Sequence, residues 1–98
     1  MYFITLELTD KKSDATKFMA AHKDWINQGF ADGAFLMVGS MKPQGGGAIL
    51  ASGETSEEVA SRIAADPFVQ QGIVKPQIQE IAPTRTDERL SRLIEAAP

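Results

Sequence analysis

The fold is indicated by residues 2–26, which read YFITLELTDKKSDATKFMAAHKDWI and change from one hydrophobic period to another. Residues 2–8 place a large apolar side chain at every even position, and this period of two is typical of a β-strand. From Ala15 onward the period lengthens to steps of three and four, which marks one face of a helix. That face contains Ala15, Phe18, Met19, His22, Trp25 and Ile26. The sequence therefore predicts a strand and then an amphipathic helix that ends after about Gln28-Gly29 and before Gly33.

A β-hairpin is predicted next. Residues 35–38 and 48–51 are apolar at every position, as in strands that are covered on both faces. Between them, Pro43-Gln44-Gly45-Gly46-Gly47 has the composition of a turn. The three glycines lack the strand–loop–helix setting and the Lys-Ser/Thr of a phosphate-binding loop, so we interpret them as part of the hairpin turn.

The second half of the chain repeats the change of period. A helix is predicted to open at Ser56 and to stop by Asp66, because the residue before a proline is driven out of the helical region. Residues 73–81 are predicted to form a fourth strand, which Pro76 places at an edge or a bulge. The order is βαββαβ, so the sequence predicts an α+β, ferredoxin-like fold with a four-stranded antiparallel sheet.

Two further features concern packing beyond this core. The helices can cover only one face of the sheet, so the apolar outer face predicts a homodimer that packs sheet against sheet. We divide the chain into a domain at residues 1–83 and a helical tail at residues 84–98. Thr86 is predicted to cap the tail helix, which would dock through Leu90, Leu93 and Ile94.

Composition excludes several classes of function. The 98 residues include no cysteine and one histidine, which excludes disulfides, thiolate chemistry and a two-histidine metal site within one chain. The net charge of −3, without a cluster of Lys or Arg, argues against binding to a nucleic-acid backbone. Residues 1–5 lack the pattern of a signal peptide, and no stretch reaches the roughly 18 apolar residues of a membrane helix. We therefore expect a cytoplasmic protein with no metal, membrane or nucleic-acid partner.

His22 is the first candidate catalytic residue. It lies four residues from Phe18 and from Ile26, so its imidazole points with the apolar face of the helix. Histidine exchanges protons near neutral pH, where general acid–base catalysis is most effective. A core histidine with one satisfied hydrogen bond is the structural alternative.

Asp66 is the second candidate. It precedes Pro67, and aspartate at such a position commonly bonds its own backbone in a turn, which is the structural alternative here. In a βαββαβ fold both helices cover the same sheet face, so His22 on the first can meet Asp66 at the end of the second. A carboxylate bonded to one imidazole nitrogen fixes the tautomer and leaves the other nitrogen for a substrate. We therefore predict a hydrogen-bonded His22–Asp66 pair at the floor of a pocket.

Three short motifs occur in order along the chain: HKDWI at residues 22–26, Val38-Gly39-Ser40 at the end of the second strand, and Asp66-Pro67-Phe68 with Gly72. They resemble the H-x-x-W-L/I motif, the end of the second strand and the D-P-F-x-x-x-G motif of the YCII-related (YciI-like) family, over residues 1–83. Many members carry proline where this sequence has Ser40, so pocket specificity is not transferred with the resemblance.

The resemblance implies a dimeric α+β barrel in which two four-stranded sheets pack face to face. The family's candidate catalytic pair corresponds to His22 and Asp66, and it implies lyase, isomerase or dehydrohalogenase-like acid–base chemistry without a cofactor. We expect a small cyclic or aromatic substrate in contact with Ser40, Trp25 and Phe68, with core packing as the alternative for the two aromatic residues. A non-catalytic ligand-binding or protein-interaction module is the alternative function. A cofactor-free monooxygenase, as found in the wider superfamily, is a third.

Overall fold

The computed structural model describes residues 1–91 of the chain. Its elements are, in chain order, β1 (Tyr2–Leu8), a 3-10 turn (Lys12–Asp14), α1 (Ala15–Ala31), β2 (Phe35–Ser40), β3 (Gly47–Ala51), α2 (Ser56–Ala64), α3 (Pro67–Gln70), β4 (Val74–Glu80) and a second 3-10 turn (Glu88–Leu90). The four strands form one antiparallel sheet in the order β2-β3-β1-β4. The predicted α+β fold and βαββαβ order are confirmed, and β4 with its proline is an edge strand. The short helix α3 is an addition that the sequence analysis did not predict.

The core lies between the helices and one face of the sheet. Strand pairing aligns Ile4 with Ile49 of β3 and with Ile78 of β4, so these side chains share the face toward the helices. Ile4 is completely buried, and Val59 and Ile63 of α2, each 2% exposed, close over the same face. Burying one such aliphatic side chain stabilises the fold by about 1.5–3 kcal/mol. The alternation in β1 is therefore what orients the sheet toward its helices.

The opposite face of the sheet carries an apolar patch that no helix of the described residues covers. Phe3 and its pairing partner Leu50 are half-buried there. Met37 also pairs with Leu50 and is 51% exposed, and Leu36 beside it is 43% exposed. The register shifts between Phe35 and Met37, so an irregularity in β2 lies within this patch.

Helix α2 starts at the predicted residue, and Thr55 before it supplies the cap. The Thr55 hydroxyl accepts a hydrogen bond from the Glu58 backbone N–H at 3.2 Å, and the Glu58 carboxylate accepts one from the Thr55 N–H at 3.0 Å. This reciprocal pair satisfies two backbone donors that the helix itself leaves open. The bond from the Thr55 backbone, and then that from its side chain, lower the pKa of Glu58.

The predicted C-terminal helix lies only partly within the described residues. Within the described residues, a 3-10 turn spans Glu88–Leu90 and Asp87 caps it, so the prediction of Thr86 as the cap was wrong. Aspartate competes well for this position because its carboxylate accepts from a backbone N–H two residues on. Leu90 is 50% exposed, and Leu93 and Ile94 lie outside the described residues. None of the helices within residues 1–91 has the length and apolar composition of a membrane span.

A close approach between α1 and β2 gives the first testable prediction. Gly29 is buried in α1, and a Cβ at this position would overlap two carbons of the Phe35 ring. Alanine is the better helix former by about 1 kcal/mol, but the ring would have to shift in a packed core. We expect Gly29→Ala to lower the free energy of unfolding by about 1–3 kcal/mol in urea denaturation. The exposed change Asn27→Ala should stay within about 0.5 kcal/mol of the wild type. A Gly29→Ala variant as stable as the wild type would contradict this packing.

Candidate active site

Helix α1 carries His22 at its middle, with the imidazole turned toward the sheet. The side chain is 13% exposed. Its ring stacks on the ring of Phe68, with 3.9 Å between the centroids and an interplanar angle of 2°. On the same helix, Trp25 lies 5.7 Å from the imidazole by centroids, at an angle of 25°. The two aromatic rings therefore fix the plane of the imidazole.

Asp66 is placed by the two helices that it separates. The residue before Pro67 takes an extended conformation, φ −60° and ψ 125°, so α2 cannot continue through it. Pro67 then opens α3, where a proline suits the first helical position. The Asp66 Oδ1 accepts a hydrogen bond from the Phe68 backbone N–H at 3.0 Å and so caps α3. The carboxylate has no exposure to solvent.

The two candidate residues meet in a short hydrogen bond. His22 Nδ1 lies 2.7 Å from Asp66 Oδ1. With the carboxylate ionised and the imidazole neutral, the Nδ1–H donates to Oδ1 and Nε2 carries the lone pair. Asp66 Oδ2 is buried and makes no hydrogen bond with the described residues. The contact that the topology predicted is present, and the carboxylate depends on His22 and one backbone amide for its donors.

His22 lines a cavity of about 460 Å³ between α1 and the strands β1, β2 and β3. Small residues on its walls leave this space unfilled: Ala15, Gly39, Gly46, Gly47 and Ala48. A volume of this size falls within the range of small-molecule sites in proteins. His22 therefore contacts the buried carboxylate through Nδ1 and also contributes to the lining of this cavity.

The cavity collects most of the residues that the sequence analysis selected. Phe68 and Ser40 line it together with His22, and Asp66 stands behind the imidazole. Trp25 does not line it. Its indole Nε1–H donates to the Arg62 carbonyl at 2.9 Å, so this residue packs α1 against α2, as the structural alternative for it anticipated. The expectation that Trp25 contacts a substrate is therefore not supported by its position.

Lys23 lines the cavity as well, and the sequence analysis missed it as a site residue. The predicted apolar face of the helix, from Ala15 to Ile26, does not include this polar residue. The available signal was its position four residues after Met19 and three before Ile26, both of which line the same cavity. Residues at these spacings lie on one side of a helix.

An ion-pair network holds α2 in place beside α1. The Arg62 guanidinium donates to both carboxylate oxygens of Glu54, at 2.9 and 3.0 Å, and its Nη1 lies 3.0 Å from Asp32 at the end of α1. Hydrogen bonds to Asp32, from Gln28 and then from Arg62, lower the pKa of that carboxyl. The bond to Glu54 is the main cause that raises the pKa of Arg62. Because Asp66 follows α2 directly, these contacts help to set its position opposite His22.

Four antiparallel strands with helices on one face, and a His–Asp pair beside an apolar cavity, define an α+β domain of the ferredoxin-like class with a small-molecule-sized site. A profile of the YCII-related domain matches residues 1–81. The chain belongs to this family, and the resemblance read from its motifs is confirmed.

Solved structures extend the comparison. The chain is similar in structure to 5-chloro-2-hydroxyhydroquinone dehydrochlorinase from Burkholderia phenoliruptrix AC1100, solved in complex with 2,5-dihydroxybenzoquinone. The TM-score is 0.67 at 18% sequence identity, and the match covers 84% of this chain and 94% of the other. No curated protein matches the sequence. At this identity the similarity establishes the fold.

The dual role of Asp66 predicts how its variants behave. Asp66→Ala removes the cap of α3, worth about 1 kcal/mol, and leaves the His22 Nδ1–H without its acceptor, which costs about 1–3 kcal/mol. We expect a total loss of about 2–4 kcal/mol in the free energy of unfolding, measured by urea denaturation. Asp66→Asn keeps an acceptor oxygen and should lose about 1 kcal/mol.

The control is Asp24→Ala, at an exposed position of α1 two residues from His22, which should change stability by less than about 0.5 kcal/mol. An Asp66→Ala variant that unfolds at the wild-type urea concentration would show that the buried contact contributes nothing to the fold.

Proposed function

We propose that this protein is a small-molecule enzyme in which His22 transfers a proton and Asp66 orients it. The observation that supports the proposal most strongly is the division of the imidazole between two environments. Nδ1 lies 2.7 Å from a fully buried carboxylate, and the same ring lines a cavity of about 460 Å³. This is the arrangement in which a carboxylate holds a histidine in one tautomer for acid–base work.

The proposed step starts with a neutral imidazole. Nε2 takes a proton from a C–H or O–H group of the bound substrate, and the ring becomes an imidazolium whose charge the Asp66 carboxylate balances. The electron pair left on the substrate then either expels a leaving group, as in a lyase or dehydrohalogenase, or accepts the proton at another atom, as in an isomerase. The hydroxyl of Ser40, on the cavity wall, is the proposed donor to the charge that develops.

The walls of the cavity favour a small cyclic or aromatic substrate. Aliphatic side chains and Phe68 form most of the lining, and its volume fits about one substituted ring. The fold neighbour is named as a dehydrochlorinase and was solved with a dihydroxybenzoquinone, a compound of this class. That likeness supports the substrate class by analogy of fold.

A non-catalytic ligand-binding module is the second candidate. It is favoured by the structural duties of the pair, since Asp66 caps α3 and the imidazole stacks on Phe68 at 3.9 Å. Under this reading the cavity binds a ligand, and His22 serves packing alone.

A test on variants separates the two functions. Two classes of compound are suitable substrates. Chlorinated hydroxyhydroquinones are assayed by the release of chloride, and enolisable cyclic diones are assayed by the uptake of deuterium from solvent. With a compound that the wild type converts, His22→Asn should lower kcat/KM by about 10²–10⁴-fold, because it removes the proton acceptor. Asp66→Asn should lower it by at least about 10²-fold through loss of the tautomer.

Asp24→Asn serves as the control, since it removes an exposed carboxylate of α1 outside the cavity. It should leave kcat/KM unchanged. A His22→Asn variant with full turnover would contradict the proposed role, and ligand binding without conversion of either compound class would favour the second candidate.

We also propose that two copies pack through the open faces of their sheets, as the fold class of the family implies. The support is the apolar patch of Phe3, Met37 and Leu50, because exposed apolar surface of this kind is normally buried by a partner. Sedimentation velocity at micromolar concentration should show a dimer. Leu50→Glu should shift it to monomer, since it would bury two unpaired charges, whereas Ala20→Glu on the exposed side of α1 should not. A wild-type monomer at this concentration would contradict the proposal.

A further inference from the structure

The charge of the cavity is one-sided. Two of its lining residues are ionisable, His22 and Lys23, and none of the described residues that line it is an aspartate or glutamate. The Asp66 carboxylate stands behind the imidazole with no exposure. With the imidazole neutral, a ligand in the cavity therefore meets the positive charge of Lys23 and apolar walls, although the chain as a whole has a net charge of −3.

The ammonium group of Lys23 is not paired with a carboxylate of the described residues. The ion pairs found there, within 4.0 Å, involve other residues. Its neighbours one helical turn away are Met19, Ala20, Ile26 and Asn27, none of which carries a charge. Helix geometry thus offers it no i, i+3 or i, i+4 partner. A cation beside an apolar cavity, without an internal partner, is suited to bind a charge brought by a ligand.

We propose that Lys23 is an anion-binding residue of this cavity and that the substrate is a single ring with an anionic oxygen, such as a carboxylate, phenolate or enolate. The apolar lining takes the ring, and Lys23 pairs with the oxygen at the cavity wall. That this anionic ligand is a substrate, and not only a bound molecule, rests on the proposed function. There, removal of a proton by His22 leaves an electron pair on the substrate, and Lys23, which also lines the cavity, is assigned to balance that charge.

The test uses benzoate and benzamide, which share a shape and differ in charge. Each is titrated into the isotope-labelled full chain at pH 7.5, and the backbone amide shifts of the cavity residues are followed by NMR. Benzoate should bind more tightly than benzamide. Lys23→Met should weaken benzoate binding by about two- to fivefold, the effect of one solvent-exposed ion pair, and should leave benzamide binding unchanged. Lys23→Arg should restore most of the benzoate affinity.

Lys17→Met is the matched control. Lys17 lies on the same helix, does not line the cavity, and has a side chain that is 73% exposed beside Asp14. This variant should bind benzoate like the wild type. Added salt should reduce the affinity for benzoate in the wild type and have little effect in Lys23→Met, since only the former retains the ion pair.

These binding experiments test the anion site at Lys23 separately from the catalytic role of His22. Full benzoate affinity in Lys23→Met, equal affinity for benzamide, or benzoate shifts scattered away from the cavity would each overturn the anion site. Benzoate binding that depends on Lys23 supports the site even if His22→Asn keeps full turnover. In that case the proposed catalytic role of His22 is wrong, and Lys23 belongs to a ligand-binding site.

Discussion

The carboxylate of Asp66, completely buried, accepts hydrogen bonds from the imidazole of His22 at 2.7 Å and from the Phe68 backbone at 3.0 Å. A buried charge without such donors would cost several kcal/mol. The folded state therefore keeps the carboxylate, the imidazole and the Phe68 backbone N–H in contact. One group thereby joins the middle of α1 to the start of α3. Phe68 also stacks on the imidazole, so the same short helix supplies both a donor to the carboxylate and a support for its partner.

The cavity follows from how α1 lies on the sheet. Near its C-terminal end the helix approaches closely, because Gly29 admits the ring of Phe35. Toward its N-terminal end, small residues such as Ala15 and Gly47 do not fill the space between helix and strands. The histidine lies between these regions. It is buried enough to be fixed by its neighbours and still lines open volume, a combination that acid–base chemistry requires.

Much of this was predictable from the sequence because it depends on local pattern. Alternation identified β1, and topology brought His22 to Asp66. The features that depend on detailed side-chain packing were not predictable from the sequence. The sequence shows that Trp25 lies on the apolar stripe, but not that its indole bonds the Arg62 carbonyl outside the cavity. Nor does the polar character of Lys23 reveal that it lines the site, since a long side chain reaches around the edge of a helix face. Helix α3 was not predicted because four residues are too few to show a helical period.

In the proposed mechanism, Asp66 holds His22 with its proton on Nδ1 and its lone pair on Nε2. Long-range ¹H–¹⁵N correlation of the single imidazole, at a pH where it is neutral, tests this directly, because the chain contains one histidine. We predict a protonated Nδ1 and an unprotonated Nε2 in the wild type, and loss of this preference in Asp66→Ala. A neutral His22 with its proton on Nε2, or shifts equal to those of free histidine, would contradict the account.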